Sequence, residues 1–276
     1  MTRFLVFLSL IFLSFSSLAE EKSEKIGVLD NFKIEKSTYG KPVDWQLNFQ
    51  KPASPVMEKL VNLHDGLLYM VFGISIFVLL LLLYVMFRFR EKANPTPSKT
   101  THNTLIEIIW TAVPVLILVA IVIPSWRLIN YMEKHENPEL TIKAIGYQWY
   151  WGYEYVDGVG KGIKFESYMT PEDKLKKGEP RLLKTDNAVV LPVDTNIRVL
   201  TTAADVIHAW AVPSFGVKKD AVPGRINETW VRITKEGTYY GQCSELCGSK
   251  HAFMPIEVKA VSKKAYRKWA KKQLNG

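Results

Sequence analysis

Four side chains that can bind a metal lie within twelve positions near the C-terminal end of the chain: Cys243, Cys247, His251 and Met254. A cysteine, a histidine and a weakly bound methionine are typical of copper electron-transfer sites. The last three residues would form most of a one-copper site, with His208 as a second imidazole from an earlier strand. Cys243 is then one thiolate more than a single copper needs. Two thiolates, two imidazoles, a thioether and a backbone carbonyl are enough for two coppers that share bridging sulfurs.

Two other interpretations of this cluster stay open. Two cysteines and a histidine can bind zinc, although zinc prefers four closed ligands and does not need Met254. A disulfide between Cys243 and Cys247 would suit an oxidising compartment, although so short a loop would add little stability. Two other functions also stay open. One is a membrane-anchored copper carrier or assembly protein, which needs only one exchangeable copper, and the other is a purely structural anchor with this disulfide.

Two long apolar segments precede this cluster. Residues 66–87 and 108–126 contain no charged side chain, and about 20 apolar residues span the hydrocarbon core of a membrane. The sequence therefore predicts a two-helix transmembrane hairpin. Residues 88–103 carry four basic side chains against the single acid Glu91, so the positive-inside rule makes this connection cytoplasmic.

The N-terminus has the pattern of a secretory signal peptide. A basic start, a short apolar run and small residues up to Ala19 predict cleavage near that residue. The signal peptide and the cytoplasmic loop agree on the orientation. We expect an inner-membrane protein with two helices and with both mature termini in the periplasm.

The chain after residue 138 has the pattern of an all-β domain. Short aromatic and β-branched runs alternate with turn residues, which favours a barrel or sandwich. Residues 157–186 are polar and glycine-rich, and we expect a long loop with one short helix after Pro171. The net charge is +9, but the tail 262–276 holds six basic residues and no acid. A nucleic-acid module would place its basic residues on the folded domain, so we expect no nucleic-acid partner.

The loop YGQCSELCGSKHAFMP, residues 240–255, closely resembles the copper loop of the cytochrome c oxidase subunit II family. The resemblance extends to the helix hairpin, the aromatic run at 146–155 and the segments 205–208 and 220–225. It implies a cupredoxin-like β-barrel with a binuclear copper centre called CuA. By match to the motif, the copper ligands would be His208, Cys243, the main-chain carbonyl of Glu245, Cys247, His251 and Met254.

The same resemblance implies roles for three further residues. The Glu245 side chain would bind a magnesium or manganese ion shared with subunit I. Trp149 would accept the electron from cytochrome c. Glu107 would lie at the mouth of a proton path into the large subunit, and the segment from Thr104 to Glu107 also fits a helix capping box.

The resemblance also implies the partners. Electrons from cytochrome c would reach the copper pair and then haem in subunit I, where dioxygen is reduced to water with proton translocation, in a complex with other oxidase subunits. We expect Glu154, Asp157 and Asp205 to form an acidic docking face, since complementary charge raises encounter rates. A quinol oxidase subunit of the same fold would lack the copper ligands, and the chain has no Cys-x-x-Cys-His motif for a fused cytochrome.

These predictions divide the chain into consecutive segments. They are a signal peptide (1–19), a periplasmic segment (20–60), transmembrane helices (61–90 and 104–132) joined by a cytoplasmic loop (91–103), a cupredoxin-like domain (138–261) and a basic tail (262–276).

Overall fold

The computed structural model describes residues 40–134 and 137–275, so the predicted signal peptide lies outside the described residues. In this part of the chain two long helices, ten strands and a C-terminal helix follow one another. They are α1 (Pro55–Arg88), α2 (Thr104–Glu133), β1 (Leu140–Tyr147), β2 (Tyr150–Tyr155), β3 (Lys164–Ser167), β4 (Val189–Pro192), β5 (Ile197–Ala203), β6 (His208–Val212), β7 (Val217–Ala221), β8 (Asn227–Val231), β9 (Gly237–Gln242), β10 (Pro255–Val261) and α3 (Lys263–Asn275).

Helices α1 and α2 are long and apolar enough to cross a membrane, and they form the predicted hairpin. Helix α1 begins at Pro55 rather than at residue 61. The earlier start has a local cause, because the Ser54 hydroxyl accepts a hydrogen bond from the Met57 N–H at 3.0 Å and proline is favoured at the first helical position. The Ser54 hydroxyl also donates to the Phe215 carbonyl at 2.6 Å, which fixes the helix start to the β-domain.

The capping prediction for α2 is wrong by one residue. The cap is Asn103, whose side-chain oxygen accepts from the Ile106 N–H at 3.2 Å. The Glu107 carboxylate reaches back to the Asn103 N–H at 3.3 Å. Asparagine caps a helix as well as serine does and better than threonine, so the helix takes Asn103 as its cap and Thr104 becomes its first residue.

The strands form the predicted all-β domain, a cupredoxin-like barrel built from three sheets. The largest sheet has the order β3-β2-β1-β5-β8, the second has the order β4-β10-β9, and β6 pairs with β7. Strands β1 and β5 run parallel, as do β4 and β10, and the other pairs are antiparallel.

The prediction of a long loop with one short helix over residues 157–186 is wrong at β3, where the chain forms a strand. This edge strand alternates exposed charged residues with inward-facing ones. Phe165 packs on Tyr153, with ring centroids 5.6 Å apart, and Ser167 is buried. Charged residues are common on exposed edge strands, which is why the composition suggested a loop. A short 3₁₀ turn does follow Pro171, at Glu172–Lys174.

Helix α3 packs on one side of the barrel core, and a buried ion pair lies at another side. Tyr155 contacts both Tyr266 and Trp269 of α3. Glu257 of β10 is only 2% exposed and accepts two hydrogen bonds from the Lys184 ammonium, at 2.9 and 3.0 Å. This ion pair connects the loop before β4 to β10, the strand that follows the segment from Cys243 to Met254.

Gly241 in β9 allows a close approach between two sheets. A Cβ at this position would lie 1.8 Å from the Ala211 carbonyl oxygen of β6. Only glycine leaves room for β9 to contact β6 at this distance. The contact brings the end of β9, which precedes Cys243, next to the strand that begins at His208.

Candidate metal centre

The metal-binding side chains come from two places on the barrel. His208 is the first residue of β6 and is fully buried. The other side chains lie on the segment between β9 and β10, from Cys243 to Met254. Main-chain hydrogen bonds hold this segment: Cys243 N–H donates to Met254 O at 3.3 Å and Ser244 N–H donates to Ala209 O at 3.1 Å.

The predicted ligand atoms converge on the two thiols. The ligand atoms of His208, Cys243 and Cys247 all lie within 4.8 Å of one another. Cys243 Sγ is 3.8 Å from His208 Nδ1, and Cys247 Sγ is 3.5 Å from both His251 Nδ1 and Met254 Sδ. These distances leave a compact space that is bounded by sulfur and nitrogen atoms.

The two thiols are not joined. Their Sγ atoms are 3.9 Å apart, whereas a disulfide bond is about 2.05 Å long. A structural disulfide between Cys243 and Cys247 is therefore absent.

Each thiol has its own imidazole and its own weak donor. Cys243 faces His208 and the carbonyl oxygen of Glu245, which is 3.3 Å from its Sγ. Cys247 faces His251 and the Met254 thioether. Two similar half-sites around shared thiolates fit a pair of soft metal ions better than a single zinc, which has no use for a thioether. The donors present therefore fit copper.

Proton affinities differ between the two thiols. Burial raises the pKa of the Cys243 thiol, but contacts with His208 and main-chain groups outweigh burial and lower this pKa to about 7. Burial and the adjacent Cys243 charge raise the pKa of Cys247 to about 12. The protein alone thus prepares one thiolate, and a metal ion would have to displace the proton from the other thiol.

Asp205 orients the buried imidazole. Its Oδ1 lies 2.9 Å from His208 Nε2, so the imidazole can donate there and present Nδ1 to the metal site. The main-chain N–H groups of Gln148 and Val206 each donate to the carboxylate at 2.6 Å. Burial acts to raise the pKa of Asp205, but these hydrogen bonds, led by the one from His208, lower it. Gly146 makes room for the ring, because a Cβ there would lie 2.6 Å from His208 Cδ2.

Trp149 touches the metal-binding segment directly. It is half-buried in the turn between β1 and β2, and its indole N–H donates to the Cys247 carbonyl at 3.2 Å. The Gln148 side chain donates to the same carbonyl at 2.8 Å, and the fully buried Trp151 donates to Met254 O at 3.3 Å. The sequence analysis did not predict the contacts of Gln148 and Trp151. Both residues flank Trp149 in the aromatic hairpin, and this position could have indicated them.

The expected acidic face is not gathered around Trp149. Only Asp205 lies at this end of the hairpin, where it binds Gln148. Asp157 accepts from the Thr141 N–H near the start of β1, and the six residues of β2, at about 3.3 Å each, separate it from Trp149. Glu154 is paired with Lys164 at 2.9 Å. The hairpin is extended, so residues close in sequence lie at its opposite ends.

Glu107 and Glu245 stand apart from the donor cluster. Glu107 lies in the first turn of the 30-residue helix α2, which spans about 45 Å at 1.5 Å per residue, while the barrel follows its other end. Glu245 places its carbonyl beside Cys243, and its side chain is exposed.

Comparisons with known proteins agree over most of the chain. Residues 140–261 match the periplasmic domain of cytochrome c oxidase subunit II, and residues 42–128 match its transmembrane domain. The probable cytochrome c oxidase subunit 2 of Rickettsia bellii is 52% identical over 228 residues, which are 83% of this chain and 84% of that protein. Cytochrome c oxidase subunit 2 of Chondrus crispus is 49% identical over 235 residues, covering 84% and 92%.

A solved structure is also similar. The crystal structure of the periplasmic domain of subunit II of cytochrome oxidase from Bradyrhizobium japonicum is 52% identical, with a TM-score of 0.48, and the match covers 51% of this chain and 98% of that one. The two family matches and the identity to these relatives cover most of the chain. The chain belongs to the cytochrome c oxidase subunit II family and is a subunit of a membrane oxidase complex.

Proposed function

We propose that the chain accepts electrons from cytochrome c at a binuclear CuA centre and passes them to haem in subunit I, where dioxygen is reduced to water with proton translocation. The observation that carries this proposal is the pair of unbonded thiols, each with its own imidazole. Electron transfer through a metal centre is fast when the metal-ligand atoms move little on reduction. Main-chain hydrogen bonds across the loop and the burial of four of the donor residues support such rigidity.

Six donors would hold the metal pair: His208 Nδ1, Cys243 Sγ, the Glu245 carbonyl, Cys247 Sγ, His251 Nδ1 and Met254 Sδ. When bound, the two coppers would supply a one-electron store spread over both metals. The protein keeps water from four of these side chains, because His208, Cys243, Cys247 and Met254 are buried.

Trp149 is our proposed acceptor of the electron from cytochrome c. Its ring is half-buried, and its indole N–H is one hydrogen bond from the main chain of Cys247. A partner that contacts the exposed part of the ring is therefore coupled to the metal-binding segment through bonds rather than through solvent. Asp205, about one-third exposed beside it, would attract a basic cytochrome.

We extend the proposal to Glu245 as a ligand of magnesium or manganese at the boundary with subunit I. Carboxylate oxygens suit such hard ions, and the Glu245 side chain is exposed while its carbonyl faces Cys243. The remaining ligands would come from subunit I. One residue would then join the copper pair to the second metal.

Glu107 is our proposed mouth of a proton path into subunit I. Its Oε1 already accepts a hydrogen bond from the cap of α2, and the side chain lines a shallow groove together with Thr104, Ile108 and Thr111. An ionisable group at the end of a membrane helix is a reasonable functional candidate. The capping and proton roles are compatible, since a carboxylate has two oxygens.

We propose the inner-membrane orientation in which the loop 91–103 is cytoplasmic and both mature termini are periplasmic. The basic side chains of this connection support it, because cytoplasmic loops carry an excess of lysine and arginine. The barrel, with its metal centre, would then face the compartment of a soluble cytochrome c.

The copper proposal is tested on the purified full-length chain, loaded with copper under reducing conditions and then oxidised. We expect about two coppers per chain that share one unpaired electron in electron paramagnetic resonance. The Cys243→Ser variant should lose the shared signal, and the Ser244→Ala variant, which changes an exposed neighbour, should keep it. One copper with a blue-site spectrum, or none with Cys243 and Cys247 disulfide-bonded, contradicts the proposal.

A further inference from the structure

Helix α3 carries a one-sided basic surface, which we call the basic face. It contains six exposed cations and no acid: Lys263, Lys264, Arg267, Lys268, Lys271 and Lys272. At 100° per residue these side chains cover about half of the helix circumference. The other half holds Tyr266, Trp269 and Ala270, which are buried or half-buried.

The barrel holds α3 in a fixed orientation. Tyr266 and Trp269 both contact Tyr155 of β2, with ring centroids 6.3 and 5.3 Å away, and the Tyr266 hydroxyl lies against Gly160. The protein's own core already covers the Tyr266 side of α3, and Leu274 near the end of the helix is its one exposed large apolar side chain. Helix α3 therefore has little apolar surface for insertion into a membrane or for a partner helix. What it offers to a partner is charge.

The barrel touches the membrane helices on one side. The Trp230 indole N–H donates to the Tyr131 carbonyl at 3.3 Å, in the last turn of α2. The Thr234 N–H donates to Ala53 O at 2.9 Å, two residues before α1. Tyr131 lies about 8 Å along the helix beyond Trp126, the end of the charge-free segment, so this side of the barrel is close to the headgroup layer.

Helix α3 starts from that same side. The Lys263 ammonium lies 3.5 Å from the carboxylate of Glu139, six residues after the end of α2. The charges of Lys263 and Arg232 are among the causes that lower the pKa of Glu139, after the main-chain hydrogen bond from Asn196. The first turn of the basic face therefore lies near the point where α2 leaves the membrane.

We propose that the basic face of α3 binds the headgroups of anionic phospholipids in the adjacent leaflet. Cations near a membrane surface are attracted by anionic lipids within about a Debye length. A fixed row of them would hold the barrel against its membrane and would enrich these lipids around the subunit. The inference is independent of copper binding and of the orientation proposed above.

The test is native mass spectrometry of the purified full-length chain in detergent, titrated with phosphatidylglycerol or with phosphatidylcholine. We expect phosphatidylglycerol to bind about tenfold more tightly, since each surface cation contributes several-fold, and the preference to weaken as salt rises. The triple variant Arg267→Gln, Lys268→Gln, Lys271→Gln should lose most of the preference. Glutamine supports a helix about as well as lysine and arginine do, and circular dichroism checks that the variant is folded.

A matched control removes the same charge elsewhere. The triple variant Lys174→Gln, Lys176→Gln, Lys177→Gln changes three exposed cations on the loop before β4, and it should keep the preference for phosphatidylglycerol. Equal binding of the two lipids by the unaltered chain overturns the proposal. So does an equal loss in both triple variants, which would indicate a general charge effect. Cross-linking of the basic face to an acidic protein, with an unchanged lipid preference in the α3 variant, also overturns it.

Discussion

Replacing Asp205 by alanine should weaken copper binding although Asp205 is not a ligand. Its carboxylate lies 2.9 Å from His208 Nε2 and is 32% exposed. A hydrogen bond to a charged group contributes about 1.5–3 kcal/mol, and solvent screening at this exposure reduces it to about 1–2 kcal/mol. Since 1.4 kcal/mol is a factor of ten, we expect about a tenfold loss of copper affinity, at the low end of the usual effect of such partners.

The assay is competition for copper with a chelator of known affinity, on the full-length chain. Asp205→Asn should lose less than Asp205→Ala, because the amide oxygen can still accept from the imidazole. Asp173→Ala serves as the control, since Asp173 is an exposed acid outside the donor segment and is not the acid that pairs with His208. Unchanged affinity in Asp205→Ala, with Asp173→Ala also unchanged, would show that the barrel alone orients His208 and would refute this reasoning.

Three further predictions follow from other contacts. Lys184→Met should lower the free energy of unfolding by about 3 kcal/mol, because it leaves the Glu257 charge buried without its cation. Adding Glu257→Leu should restore most of this loss, as measured by chemical denaturation. If the losses of the two single variants simply add in the double variant, the prediction is contradicted. Copper binding should release more protons at pH 6 than at pH 8.5, because metal displaces protons from its ligands. At pH 8.5 the Cys247 thiol, with a pKa of about 12, is the main source, since the pKa of Cys243 is about 7. At pH 6 the count should exceed two, because Cys243 is then protonated and because burial, which lowers the pKa of His208, is outweighed by contacts with Cys243 and Asp205 that raise it. Calorimetry in buffers of different ionisation enthalpy measures this count, and a pH-independent count would disprove the prediction. Trp149→Phe should slow the reduction of the copper centre by cytochrome c at least about tenfold, because the variant loses the hydrogen bond from the indole N–H to the Cys247 carbonyl. Its copper content should be unchanged. Stopped-flow kinetics measure the rate, and an unaltered rate excludes Trp149 as the acceptor.

Elements with strong periodic or length signals were predictable from sequence. The charge-free segments gave both membrane helices, since span length alone is decisive there. The helix ends were less accurate, because caps such as Ser54 and Asn103 are chosen by which side-chain oxygen reaches a free N–H. Strand β3 was missed because an edge strand with charged residues has the composition of a loop.

The cluster of donors was predictable for a different reason. Four donors sit within one short segment, so sequence spacing already limits their separation. The role of Asp205 as the partner of His208 was not predicted, because the same residue also fits an exposed docking acid. Glu154 and Asp157 lie away from Trp149 because the β1–β2 hairpin is extended. Composition alone does not predict the distance between residues along such a hairpin.

The two glycines at the metal centre have a consequence for interpreting sequence variants. A methyl group at Gly241 would collide with the main chain of Ala211, and one at Gly146 with the His208 ring. A variant at either position would spoil the geometry of the donors while leaving every donor in place. The sequence of such a variant would still contain all the metal ligands, so the defect would be detected only by measuring the copper content of the protein.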